Sequence, residues 1–155
     1  MQQIGVLAPT KPPLGKTAVA GLSAALVASL LWFGLVVVLT LQNTMANAPA
    51  LFIGPAMGYA MYRAANRQGS VPLQVTAGIL ALLAIGITET FVIRVQVARQ
   101  LADTTGETLG FFLPLATYWK WLDIIVAGDG LTQLIFITTL WAAIYITRDR
   151  IKQGL

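Results

Sequence analysis

Neither cysteine nor histidine occurs in this chain. Their joint absence removes disulfides, thiol nucleophiles, histidine general bases and any metal or haem held by imidazole or thiolate. Charge is scarce as well: only 10% of the 155 residues are Asp, Glu, Lys or Arg, and none falls between Lys16 and Arg63. A soluble domain of this size needs frequent surface charge, so an uncharged run of that length points away from a water-facing fold. What fills the space is apolar, 57% of the chain, in long runs parted by short polar breaks. The sequence predicts one small integral membrane domain with no separate soluble module. The net charge of +4 fits Lys and Arg held on one side of a bilayer, and no basic patch suggests nucleic acid as a partner.

The predicted fold is all-α, a four-helix membrane bundle with spans near 18–41, 49–65, 71–93 and 130–147. Residues 1–17, with Pro9, Pro12 and Pro13, read as a flexible leader, because prolines this dense deny helix continuity. Ala18 to Leu41 then gives 24 uncharged residues, about 36 Å of helix, enough to cross a hydrocarbon core of about 30 Å. That run is too long for a cleaved signal sequence, whose apolar core has about 7 to 15 residues. Gln42 to Pro49 makes a short hairpin, and the second span is short enough that its end must be anchored among headgroups. The third span opens with Pro72 in its first turn and can continue as helix past the bilayer through Arg94 and Arg99 to about Ala102. Residues 103–128 form a non-cytoplasmic loop. Within it, Phe111 to Ala127 mixes aromatics with Lys120 and Asp123, which predicts an additional amphipathic interfacial helix between helices 3 and 4.

Four spans place the leader, the Arg63/Arg67 turn and the tail on one side. Basic residues then divide seven to three: Lys11, Lys16, Arg63, Arg67, Arg148, Arg150 and Lys152 against Arg94, Arg99 and Lys120. By the positive-inside rule both termini are cytoplasmic. A fifth span through Phe111 to Ala127 would bury Lys120 and Asp123 in hydrocarbon at about 2.5 to 3.5 kcal/mol each, and would reverse the basic tail.

Few residues offer chemistry. Glu89 is the one acid near a span interior, a position that marks carriers. At 18 residues from Val71, about 27 Å along a helix, it is expected near the outer headgroups as a hydrated interfacial carboxylate. Gln133 is the polar partner that a transport path would add. Gly54 and Gly58, with Ala56 and Ala60 beside them, form a small-residue surface for close helix packing, expected against the first or third helix or against a partner subunit. Tyr59, Tyr62 and Arg63 at one level, and Tyr118, Trp119 and Trp121 at the other, read as interface anchors. No catalytic constellation is visible; an enzyme acting on lipid would have to use Glu89, Asp103, Glu107 or Asp123 as acid and base. Lipids, carotenoids or quinones, which bind by shape, are left open as cofactors.

The stretch from Ile53 through Gly54-Pro55-Ala56-Met57-Gly58-Tyr59-Ala60-Met61-Tyr62-Arg63 to Ala64, followed by a glycine-containing turn and Leu73-Gln74-Val75-Thr76-Ala77, resembles the middle of certain small four-helix bacterial inner-membrane proteins of unknown function. The likeness covers about 25 residues and implies an inner-membrane location and four spans, with no activity to transfer. Members often carry a cysteine-rich metal ribbon ahead of the spans, which a chain without cysteine lacks. The expected function is a non-catalytic accessory or scaffold subunit of a larger membrane complex, in contact with lipid and with other membrane subunits or itself. The alternative is a small oligomeric channel or carrier using Glu89.

Overall fold

A computed structural model describes residues 14–41, 43–106 and 130–148. Among these, four α-helices occur and no strand: α1 (Leu14–Val38), α2 (Ile53–Ala64), α3 (Val71–Thr105) and α4 (Gly130–Ile146). Two of them, α1 and α3, are long and apolar enough to cross a membrane, and α4 is a shorter apolar helix. The aromatic segment 111–127, with Tyr118, Trp119 and Trp121, lies outside the described residues.

Helix α1 starts earlier than the leader's prolines suggest, so Leu14 to Thr17, assigned by sequence to the leader, already form its first turn, where Thr17 Oγ1 donates to Leu14 O at 2.8 Å. Proline disrupts a helix that precedes it and is harmless ahead of one, so prolines upstream do not prevent a helix that starts at Leu14. Helix α2 follows directly on a 3-10 turn at Ala48–Phe52. A 3-10 turn rises about 2.0 Å per residue against about 1.5 Å in an α-helix, so the two together rise about 28 Å. Pro55 lies in the first turn of α2, where its missing amide hydrogen has no intrahelical use. The turn from α2 to α3 uses left-handed backbone at Asn66 and Arg67 (φ 54° and 62°), and Ser70 then caps α3 by accepting from Leu73 N at 3.3 Å. Helix α3 runs 35 residues, about 52 Å, and takes in Asp103 to Thr105, which the sequence suggests are loop. It stops at Gly106, whose φ of 70° supplies the left-handed cap and whose N–H returns to Ala102 O.

The helices pack in the cyclic order α1, α2, α4, α3. Gly21 of α1 lies against Met57 and Met61 of α2, Gly58 against Ala143 and Ile146 of α4, and Gly78 of α3 against Ile144. This register puts Leu14, Ala65, Val71 and Ile146 at one end of the bundle. The core comprises two clusters. Met57, Met61, Leu73, Ala77, Ala81 and Ala143 fill that end, and Trp32, Val36, Ile53, Ile85, Val92 and Phe136 fill the other. At the far end Arg99 of α3 reaches over α1 and donates to the carbonyls of Val36 and Val37, at 3.4 and 2.8 Å, which would otherwise lack partners at the helix terminus.

The small-residue surface of α2 faces α4, where the sequence suggests α1 or α3. A Cβ on Gly54 would fall on the carbonyl oxygen of Thr139, and one on Gly58 would come within 3.0 Å of the Ala143 carbonyl oxygen. Ala56 is exposed and Ala60 half-buried, so the packing seam consists of the two glycines and excludes Ala56. Backbone cannot yield as a side-chain tip can. Gly54→Leu or Gly58→Leu is therefore expected to cost at least ~2 kcal/mol and to lower folded yield, measured by thermal unfolding in detergent. Gly34→Ala, with nothing within 4 Å, is expected to gain up to ~1 kcal/mol from helix propensity.

Candidate functional site

The segment joining α1 to α2 is not a surface hairpin. Ala46, Asn47, Pro49 and Ala50 are all buried. It forms two short 3-10 turns, Asn43–Ala46 and Ala48–Phe52, tucked between the helices. Backbone that leaves an α-helix in an apolar interior must find other partners. Trp32 of α1 donates its indole Nε1–H to Ala46 O, and the one hydroxyl proton of Thr139 on α4 is shared between Ile135 O of its own helix at 2.8 Å and Ala50 O at 3.2 Å. Held from both sides, the connector presents the Asn47 side chain to the interior.

Asn47 meets two polar groups there. Its Nδ2 donates to Thr132 Oγ1 of α4 at 3.3 Å, and the same side chain hydrogen-bonds the carboxylate of Glu89 on α3. All three are enclosed: Glu89 is 2% exposed, Thr132 4% and Asn47 8%. The hydrated interfacial carboxylate expected from sequence spacing is thus not what the fold provides. Glu89 lies ten residues, about 15 Å, along α3 from the Arg99 that caps α1, and its neighbour Thr88 lies beside Ser29 and Phe33, below the end of α1. Depth along α3 alone does not set its exposure, because α1 runs past this level and the connector's Asn47 lies against the carboxylate.

Satisfaction in this cluster is incomplete. Glu89 Oε2 and Asn47 Oδ1 are buried with no hydrogen-bond partner, as is Arg94 Nη1 elsewhere on α3. Such groups are uncommon in stable interiors and cost about 1–3 kcal/mol each, more when charged. The surrounding hydroxyls of Thr88 and Thr90 do not help, since each turns back to its own helix, to Ala84 O at 2.7 Å and Gly86 O at 2.8 Å. Gln133, the other residue singled out for transport, is half-buried beside Thr132 and has an interaction of its own. Sequence reasoning missed Asn47 and Thr132. A single Asn in a stretch rich in Asn and Ala carries no periodic signal, and its meeting with Thr132 spans 85 positions.

The remaining candidates lie elsewhere. Tyr59 and Arg63 are exposed together, with the guanidinium carbon 5.9 Å from the ring centroid, and Tyr62 is half-buried. An apolar groove of 670 Å³ opens between α1 and the start of α2, lined by Val27, Leu31, Leu35, Phe52 and Ala56 among others. A smaller cleft of 260 Å³ lies between α1 and α3. Among the described residues no group of three or more acidic side chains could hold a metal ion. No protein family's sequence signature matches the chain, and no curated protein or solved structure matches it either.

Because Trp32 holds the connector that carries Asn47, Trp32→Phe should lose about 1–3 kcal/mol by orphaning the Ala46 carbonyl, even though ring packing near Phe136 survives. Thermal unfolding followed by circular dichroism measures the loss.

Proposed function

We propose that the protein is a four-span integral membrane protein of the bacterial inner membrane and acts there as a non-catalytic accessory or scaffold subunit. The observation that carries the membrane reading is the distribution of polarity. Leu22, Leu26 and Leu30 of α1, Val75, Ile79 and Leu83 of α3, and Leu134, Ile137 and Trp141 of α4 are exposed, whereas Glu89, Asn47, Thr132 and Thr139 are buried. Apolar surface of this extent on several helices suits lipid and not water. Lys16, Arg63, Arg67 and Arg148 belong to the end that holds the start of α1 and the end of α4, which supports cytoplasmic termini by the positive-inside rule.

The accessory role rests on what the described residues offer: close helix packing through Gly54 and Gly58, broad apolar outer faces and little extramembrane mass with which to recognise soluble molecules. Mild-detergent purification from the native host is expected to give stable co-migration with other membrane subunits, and a lone monomer would overturn the role. Labelling of single cysteines placed at residue 16 and residue 148 is expected to mark both from the cytoplasmic side, and labelling from opposite sides would remove the four-span arrangement.

One observation favours the second reading, a small oligomeric carrier: Glu89 is enclosed with an unpartnered oxygen, as carriers hold their ion-binding carboxylates. Proton or cation flux through the purified protein in vesicles, abolished by Glu89→Gln, is the expected result under that reading. Absence of flux in the parent protein would eliminate it.

A further inference from the structure

We propose that Glu89, Asn47 and Thr132 form a binding site for one monovalent alkali cation, enclosed between the buried connector, α3 and α4. The inference concerns binding and stands whether or not the ion is carried across a bilayer.

Three oxygen-bearing side chains from three separate parts of the chain converge here, each more than nine-tenths buried. Asn47 serves both neighbours from its donor end, through Nδ2 to Thr132 Oγ1 and by a side-chain hydrogen bond to Glu89, so that Oδ1 is idle and Glu89 Oε2 is idle with it. A cation ligated by Asn47 Oδ1 and Glu89 Oε2, with Thr132 Oγ1 as a third oxygen, gives both idle atoms a partner and leaves the amide's own donations in place. The hydroxyl has lone pairs enough to do this alongside its other interaction.

Charge and donor type select the class of ion. The set is all oxygen, which suits hard cations and not thiolate- or imidazole-seeking metals. With Glu89 ionised it carries one negative charge, so a single positive charge leaves the enclosed site neutral, whereas a divalent ion leaves net charge in an apolar interior. Arg94, also buried on α3, is five residues further on, which at about 100° per residue carries it about 140° around the helix from Glu89. It therefore projects from a different side of α3 than the site.

The test is thermal unfolding of the full chain in dodecyl maltoside, in sodium, lithium or potassium chloride against N-methylglucamine chloride at the same ionic strength. An alkali cation is expected to raise the thermal midpoint saturably, and N-methylglucamine is not. Glu89→Gln keeps the shape of the side chain and is expected to abolish the response. Thr132→Val, which removes one oxygen and conserves volume, is expected to raise the half-saturating concentration at least tenfold and keeps the test decisive should Glu89→Gln fail to fold. A parent protein whose midpoint is the same in all four salts overturns the proposal. So does a cation response that Glu89→Gln or Thr132→Val leaves intact.

Discussion

Backbone that leaves the α-helix inside an apolar bundle has to be supplied with hydrogen-bond partners there, and the rest of this structure is arranged around doing so for the connector between α1 and α2. Its two short 3-10 turns are received by Trp32 from one helix and Thr139 from another, which fixes the positions of α1 and α4 relative to α2. The same two contacts aim Asn47 at Glu89. Packing and polar site are therefore not separable: the groups that close the interior also compose its one enclosed carboxylate cluster among the described residues.

The glycines of α2 make that closure possible. Thr139 can reach Ala50 O only because Gly54 lets the backbone of α4 approach, and its carbonyl occupies the place a Cβ would take. Close approach of two backbones over glycine brings many atoms into van der Waals contact at once. Arg99 plays the corresponding part at the far end of α1, where it satisfies two terminal carbonyls from a neighbouring helix. Both contacts join segments far apart in sequence, so the bundle's stability is tertiary from the outset.

An enclosed carboxylate with an idle oxygen, facing an amide whose own oxygen is idle, is costly to retain by packing alone. The fold retains it beside a well-filled apolar core, with Ile85 and Val92 of the same helix fully packed. That contrast distinguishes the Glu89 cluster from the hydroxyls on α1, α3 and α4 that bond back to their own helices. Ser23, Thr76, Thr88 and Thr90 are each satisfied four residues away, within one helix and without tertiary help.

The four helices were legible in the sequence because each is a continuous apolar run bounded by proline, glycine or charge, and those are local signals that act through backbone geometry. The boundaries slipped at ends: Leu14 to Thr17 and Asp103 to Thr105 joined helices without any apolar run to announce them, Leu39 to Leu41 fell outside α1, and the start of the second apolar stretch, to Phe52, formed a 3-10 turn ahead of α2. Glu89 was also legible, as the one acid near a span's interior. Its burial was not, because exposure depends on which neighbours pack against a residue, and α1 and Asn47 come to this level of α3 from about sixty and forty residues away in the chain. Tertiary structure alone chose α4 as the partner of Gly54 and Gly58 and folded the connector inward. It alone brought Asn47 to Thr132, because a small residue or a lone amide carries no mark of what it will touch until the helices are packed.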